Sequence, residues 1–554
     1  MTSGAAAAVA TTPVPAAGSA GRTVAEQLLT FLHDTLGCDR LFTVPGEAFL
    51  PLLGHAGRAG VELVTSRHEA GAALCAVADA RLRGGPAVVA VNRSPGATNA
   101  SIALDAARAD PTPLLLIVGG PRRGTDPVTG FQGTDLTGFL GGLAPVFTVP
   151  DGPGLAGVLE QVAALLTRPE PSPVSLIVPE DVFADQVPEP DGDREPVAGR
   201  PAGGTEPGGT GAGDLVRALT AAQRPVLIAG QLLRVAGGPG PEVAELLARF
   251  AEHSAVPVLA GNKQQDLMDN RHPGYAGHLH LGSPQQLRDR LAQADLVVFL
   301  GGRPDEVQLA HWYAGHQLAV HAEHPLAVLR ELAGHQWPAA SRDWQAGWQE
   351  LAANLATPRI RTTDDGLDFA LVARELDARL PDGAVLTLDA GHFSSWVHRY
   401  VRLRPGQRLL ALASGAMGFG VPAAVAAVLR DPAATAVAVV GDGGLLMTGN
   451  ELAVARAAGR APVVIVADNA SYGTIRDHQA RYFPDSDCGT GLANPDFVAW
   501  AGAFGVPGER VERPEQVGPA LGRALDSPDG YLVHVRTSLQ AVHANHELPR
   551  DRQA

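Results

Sequence analysis

The sequence predicts an α/β protein built as three doubly wound, parallel-sheet domains. Short apolar runs suited to buried strands alternate with helix-like segments in three successive blocks. Two irregular stretches separate those blocks, the first dense in Pro, Gly and acidic residues. At 554 residues the chain is also too long for one core, so several domains are required.

The elements follow in order. Residues 1–21, rich in Ala, Thr and Pro, read as a disordered tail without the basic start of a secretory signal. The first domain, 22–185, carries strand candidates at Val61–Thr65, Ala87–Val91, Leu114–Val118 and Val174–Val178. Residues 186–213 read as a linker. The second domain, 214–340, has strands at Pro225–Ala229, Val256–Ala260 and Leu296–Leu300, with a helix over Pro241–Ser254. A second linker, 341–366, leads into the third domain, 367–547. There Ala436–Val440, Pro462–Ala467 and Tyr531–Val535 are strands, and Asn450–Ala458 is a helix. Sheets of this kind collect ligands at the carboxyl ends of their strands, which is where chemistry is expected.

Composition excludes several function classes. With 43 basic against 58 acidic residues the net charge is −15, which argues against nucleic acid or an anionic membrane as partner. No run of about 18 apolar residues is present to span a bilayer. Cys38, Cys75 and Cys488 lie far apart with no CxxC pair, so neither a disulfide framework nor a zinc site is expected. A reducing cytoplasm is the expected compartment.

The most informative segment is Val439-Val440-Gly441-Asp442-Gly443-Gly444, followed one β–α–β passage later by Ala467-Asp468-Asn469-Ala470-Ser471-Tyr472-Gly473. Asp442 and Asn469 each stand just past a strand and so face each other across neighbouring strand ends. Hard oxygen ligands of this kind suit Mg²⁺ bound together with phosphates. The glycines allow backbone N–H groups to approach a phosphate. The bland alternative is a tight Asp-Gly turn. Four more segments stand at strand ends or in glycine-rich settings. They are Val44-Pro45-Gly46-Glu47, Ser66-Arg67-His68-Glu69-Ala70-Gly71-Ala72, Asn92-Arg93-Ser94-Pro95-Gly96-Ala97-Thr98-Asn99, and Ser414-Gly415-Ala416-Met417-Gly418. For a lone Glu69 the alternative is a helix-entry glutamate, and for Met417 an ordinary core filler.

Together these segments resemble the thiamine diphosphate-dependent enzymes of the acetolactate synthase, benzaldehyde lyase and 2-oxo acid decarboxylase type, over about Thr23 to His546. The resemblance implies pyrimidine-binding, central Rossmann-like and diphosphate-binding domains. It implies thiamine diphosphate and Mg²⁺ as cofactors, with Asp442, Asn469 and the Ser471 carbonyl as metal ligands. Cofactor contacts follow at Pro45, Gly46, Asn99, His392, Gly441, Gly443, Gly444, Tyr472 and Gly473. Glu69 would bond the pyrimidine N1′ and drive the tautomer that activates the thiazolium carbon. Met417 would wedge the cofactor into its bent form, and the Gly415 carbonyl would accept from the 4′-amino group. His68 reads as structural. One departure is Asp468, where the family carries the first Asn of a pair.

The reaction is less sharply implied. The family course is attack on a 2-oxo acid, loss of CO₂, and an enamine that is either protonated to an aldehyde or added to a second carbonyl. Phe131-Gln132 falls where the synthases carry a Phe-Gln pair, which favours carboligation and makes Gln132 a catalytic candidate. No His-His pair of the pyruvate decarboxylase type appears in the first block. Against ordinary acetolactate synthesis, the synthases' Lys has no counterpart in Pro145-Val146-Phe147-Thr148, and their Trp is missing from Ile475-Arg476-Asp477-His478-Gln479. Glu47, Arg93, Phe131 and Arg476 are substrate candidates. The expected function is an acetolactate synthase-like carboligase. The rivals are a decarboxylase or hydroxyketone lyase on the same cofactor, and a non-catalytic scaffold. Gly230 and Gly301-Gly302 permit FAD, but such loops also arise from sheet packing, and FAD is not favoured. Partners are small 2-oxo acids or aldehydes. A homodimer or homotetramer with the cofactor at the subunit interface is implied.

Overall fold

The computed structural model describes residues 21–126, 129–188, 211–238, 240–280, 282–302, 317–321, 324–338, 341–485 and 488–548. A short pair, β1 (Arg22–Thr23) and β8 (Gln186–Val187), runs antiparallel beside the first sheet. That sheet holds β2 (Arg40–Thr43), β3 (Glu62–Thr65), β4 (Ala87–Asn92), β5 (Leu114–Gly120), β6 (Val146–Thr148) and β7 (Val174–Pro179). The middle sheet holds β9 (Pro225–Ala229), β10 (Val258–Ala260), β11 (Tyr275–His278), β12 (Leu296–Leu300) and β13 (Gln317–His321). The third holds β14 (Val385–Leu388), β15 (Arg408–Leu410), β16 (Ala436–Gly441), β17 (Val463–Asp468), β18 (Gly508–Val511) and β19 (Tyr531–Arg536). Every pairing in these three sheets is parallel. The three-domain α/β expectation therefore holds.

The orders are β3-β2-β4-β5-β7-β6, β11-β10-β9-β12-β13 and β15-β14-β16-β17-β19-β18. Counted within each domain, the first and third sheets have the same topology. In both, the order reverses between the domain's first and third strands, β2/β4 and β14/β16. Such reversal points open a crevice at the strand carboxyl ends.

Most strands found by pattern are buried along nearly their whole length; β3, found as Val61–Thr65, is the exception, with only Val64 of Glu62–Thr65 buried. β4, β5, β7, β9, β12, β16 and β17 are apolar runs covered on both faces. β2, β6, β11, β15 and β18 are short or partly polar and gave no comparable signal. Two further differences concern the stretches between domains. Gln186–Val187, at the start of the expected 186–213 linker, pairs back onto the chain's first strand; residues 189–210 lie outside the described set, as does the tail through 20. Within 341–366 a helix, Asp343–Leu355, seats a fully buried Trp348 in the middle core, so apolar burial overrides the irregular composition there.

The first and third domains share one core. At its centre lie helices Glu69–Arg83 and Gly420–Arg430, apolar and Ala-rich on nearly every face, as helices enclosed between two sheets must be. Cys75 donates its thiol to the Pro422 carbonyl at 3.2 Å across the pair. The buried Glu451 caps the start of the first helix, accepting from the Arg67 and His68 amides at 3.2 and 3.0 Å. A side chain at Gly71 would collide with it. At the far end Arg430 clamps the domains, bonding Asp79 and Asp39, each at 2.7 Å. Removing one member of a largely buried pair typically costs about 3 kcal/mol because the other is left unpaired. Arg430→Met is accordingly expected to lower the urea midpoint, with Asp79 stranded in the core. An unchanged midpoint would show that the clamp does not hold the domains.

Candidate cofactor and active site

β16 ends at Gly441, and the short helix Asp442–Thr448 begins at once. β17 ends at Asp468, followed by a tight loop in which Ala470 takes the left-handed conformation (φ 54°). Within that loop Ser471 N–H donates to the Asn469 side chain at 3.1 Å, and Tyr472 N–H to the Thr490 carbonyl at 2.8 Å. Asp442, Asn469 and Ser471 thus come together, as expected from their strand-end positions.

Asn494 was invisible to sequence reasoning. Its amide donates to Asp442 Oδ2 at 2.7 Å and to Asp468 Oδ1 at 2.9 Å, joining two buried carboxylates. Asp468 Oδ2 accepts from His534 Nε2 and Arg536 Nη1, both at 2.7 Å. Burial works against the charge of Asp468, but those bonds hold its carboxyl well below the usual range. Asp442 goes the other way: burial first, helped by the charge of Asp468, pushes it up to about 6. The departure at position 468 therefore supplies a fixed anion beside the metal candidate. No short motif marks Asn494, because it lies beyond the loop that returns to this strand edge.

A cavity of about 230 Å³ covers this end, lined by Gly391, His392, Gly415, Met417, Gly441–Gly444, Asn469 and Ser471–Gly473, among others. The glycines form a cradle. A Cβ on Gly443 would lie 2.6 Å from the Tyr472 ring, and one on Gly444 would lie against Asp389. Gly415 (φ 74°) faces open space, and the Met417 methyl reaches 3.9 Å from the Cβ position of Gly444. His392 N–H donates to Thr474 Oγ1 at 2.9 Å, while burial lowers its imidazole to about 4 and leaves it neutral. Asp389 Oδ2 is buried with no hydrogen-bond partner, and burial lifts that carboxyl to about 6.

A metal and a diphosphate fit this donor set. Asp442, buried and raised toward neutrality, lacks the cationic partner that Asp468 has, and a divalent cation would supply that charge. The narrow glycine cradle admits a phosphate against the backbone.

The remaining candidates gather at the carboxyl ends of β2, β4 and β5. Glu47 and Gln132 both accept from Asn92 Nδ2 at 3.2 Å. Arg93 pairs with Glu180 at 2.8 Å, lies 3.7 Å from Glu47, and sits over the Phe131 ring at 5.5 Å. Gly46 is required because a Cβ would strike the Asn92 side chain. Glu69 accepts from Asn99 at 3.0 Å, and His68 caps its helix as a structural residue. None of these residues lines the Asp442 cavity, whose described walls all lie between Phe369 and Val542.

Arg476 is buried and lines neither this cavity nor the larger one beside it, whereas Thr474, Asp477, His478 and Arg481 of the same helix line the larger one. In the middle domain, Gly230 packs against Gly301 and Gly302, where a Cβ would lie 2.5 Å from backbone, so those glycines are explained by loop packing.

Three family models match the chain in order. They are the N-terminal thiamine pyrophosphate binding domain over residues 22–139, the central domain over 213–324, and the C-terminal thiamine pyrophosphate binding domain over 389–535. The chain belongs to the thiamine pyrophosphate-dependent enzyme family. Among its relatives, the acetolactate synthase isozyme 2 large subunit of Escherichia coli K12 is 28% identical over 523 residues, covering 90% of this chain and 93% of that one. The acetolactate synthase large subunit of Lactococcus lactis is 25% identical, covering 95% and 94%. A thiamine diphosphate-dependent 4-hydroxybenzoylformate decarboxylase from Rhodococcus jostii RHA1 shares the fold, with a TM-score of 0.75 at 22% identity over 93% of this chain and 99% of that one. No helix among the described residues is long and apolar enough to cross a membrane.

The raised Asp442 carboxyl gives a pH expectation with a definite sign. In the metal-free protein it takes up a proton as pH falls through about 6, so Mg²⁺ and cofactor loading should be full above that pH and fail below it. Asn494→Ala, which removes the shared donor, should move the failure to higher pH. Tryptophan fluorescence during reconstitution reads both; loading independent of pH between 5 and 8 would count against the role of Asp442.

Proposed function

We propose that this chain is a thiamine diphosphate- and Mg²⁺-dependent carboligase that decarboxylates a 2-oxo acid and joins the remaining fragment to a second carbonyl. The observation that carries the reading is the Asp442–Asn469 strand-end pair beneath the glycine cradle, with Met417 beside it. When bound, the cofactor supplies a carbon nucleophile. The chain's own residues hold and orient it. Asp442, Asn469 and the Ser471 backbone take the metal; Gly441, Gly443, Gly444, His392, Tyr472 and Gly473 take the diphosphate; Glu69 holds the proton at the pyrimidine.

Glu69, Asn99, Pro45 and Gly46 do not line the cavity of their own chain. The pyrimidine end is therefore completed by a second copy, in a homodimer or a pair of dimers. Leu446, Met447 and Ile475, exposed around the cavity, give that contact an apolar surface. A reducing compartment suits the free cysteines, two of them buried.

Gln132 favours carboligation because an amide cannot deliver the proton that releases an aldehyde. A second reading, simple decarboxylation, is favoured by Glu47. Its carboxyl is half exposed and held by Asn92 beside Gln132, where it could supply that proton.

Incubating the reconstituted enzyme with pyruvate and other 2-oxo acids, with and without an aldehyde acceptor, decides between them. Hydroxyketone is the expected product, and aldehyde alone would establish the second reading. Glu69→Gln should retain cofactor affinity within about tenfold yet lose most turnover, since only the proton path is removed. Unchanged turnover would remove Glu69 from its role. Light scattering should give a dimer or larger; a fully active monomer would refute the shared site.

A further inference from the structure

A second cavity of about 1260 Å³ shares Ala390, Gly391, His392, Gly415 and Thr474 with the cofactor cavity and extends from there to the middle domain. Six cationic side chains line it, Lys263, Arg288, Arg359, Arg361, Arg399 and Arg481, against the carboxylates of Asp477 and Glu547. Those acids are already engaged. Asp477 pairs with Arg481 and His546, each at 3.0 Å, and Glu547 lies 4.0 Å from Arg361, which also bonds Asp368 at 2.8 Å.

Lys263 is the unusual member. It is partly buried, and its backbone is held in the left-handed conformation at φ 63°, a strained choice for a side chain of this size. Its Nζ donates to Nε2 of His398 at 2.9 Å. His398 is itself buried and kept neutral, flanked by His278 and His280. Among the described residues no carboxylate pairs with Lys263; Asp110 and Asp389 act on it only at longer range. Arg399 bonds the Leu355 and Ala544 carbonyls and the Asn545 side chain, again without a carboxylate.

A purely structural role would be to hold the His398 ring. A neutral donor does that without the cost of burying a charge, so the ammonium itself needs a reason. The cavity provides one, because a partly buried cation with no carboxylate partner on the wall of a large cleft is a counter-ion site. The size agrees. Ligand cavities commonly run about 300–1,000 Å³, far beyond what a three-carbon acid fills.

We infer that this cavity takes an acidic substrate bearing a second, distal anionic group, a carboxylate or a phosphate, that pairs with Lys263 while the reacting carbonyl lies toward His392 and Gly415. The inference rests on the function proposed above and names its substrate class.

Calorimetry on the holoenzyme tests it without turnover, using glutarate, glycerol 3-phosphate and butyrate as probes. Glutarate or glycerol 3-phosphate should bind at least about tenfold more tightly than butyrate, the tighter of the two identifying the distal group. Lys263→Met should abolish that preference and Lys263→Arg should keep it. Thermal melting should leave Lys263→Met at least as stable as the parent, because a partly desolvated charge with no carboxylate partner has been removed. Equal binding of all three probes by the unmodified holoenzyme overturns the inference, as does a preference that survives in Lys263→Met. So does a Lys263→Met protein that melts lower while binding the probes as before, since that marks a structural lysine. Absence of 2-oxo acid turnover would instead defeat the proposed function while leaving the binding result intact.

Discussion

The molecule depends on one contact, the packing of helix Glu69–Arg83 against helix Gly420–Arg430. Each follows the second strand of its domain, and the two domains share one strand order, so the contact joins equivalent elements of two equivalent halves. Alanines on both helices allow the close approach, and a larger residue on either helix would push the sheets apart. Glu69 opens the first helix, and Met417 stands just ahead of the second. The residues proposed as proton donor and wedge thus sit at matching places in the two halves. Their helices are fastened within one chain, yet Glu69 stays outside the cavity that Met417 lines.

At the metal end the governing quantity is charge. Asp442 and Asp468 share one amide donor, and only Asp468 has cationic support. The asymmetry keeps one carboxylate permanently ionised and leaves the other short of positive charge. That arrangement suits the Asp442 side to a cation, whose charge would complete it.

Legibility followed the physics of each part. Wholly apolar strands such as Leu114–Gly120 and Ala436–Gly441 announce themselves, because burial on both faces demands an unbroken run. Arg40–Thr43 and Gly508–Val511 are short, partly polar and defined mainly by the neighbours they pair with, so pattern alone passes over them. Asp442 and Asn469 were legible because a strand end, a glycine cradle and a hard ligand coincide in a few consecutive residues. Asn494 reaches Asp442, and Lys263 its cavity, by tertiary approach, and no local pattern predicts that.

The substrate side carries a clue of another kind. Arg93 and Gln132 both hold positive φ, 44° and 51°, and their segments are bonded together through Ser94, whose hydroxyl donates to the Gln132 carbonyl at 2.7 Å. Neither residue is glycine, so each conformation is disfavoured alone and persists because the surroundings over-determine it. Asn92 fixes Glu47 and Gln132 at once, while Glu180 and Phe131 fix Arg93. Arg93 opens its helix directly after β4, and its conformation could relax if nothing else engaged it. Instead a carboxylate, an amide and a guanidinium from three segments are held in one set geometry, the kind of preorganisation by which a site orients what it binds.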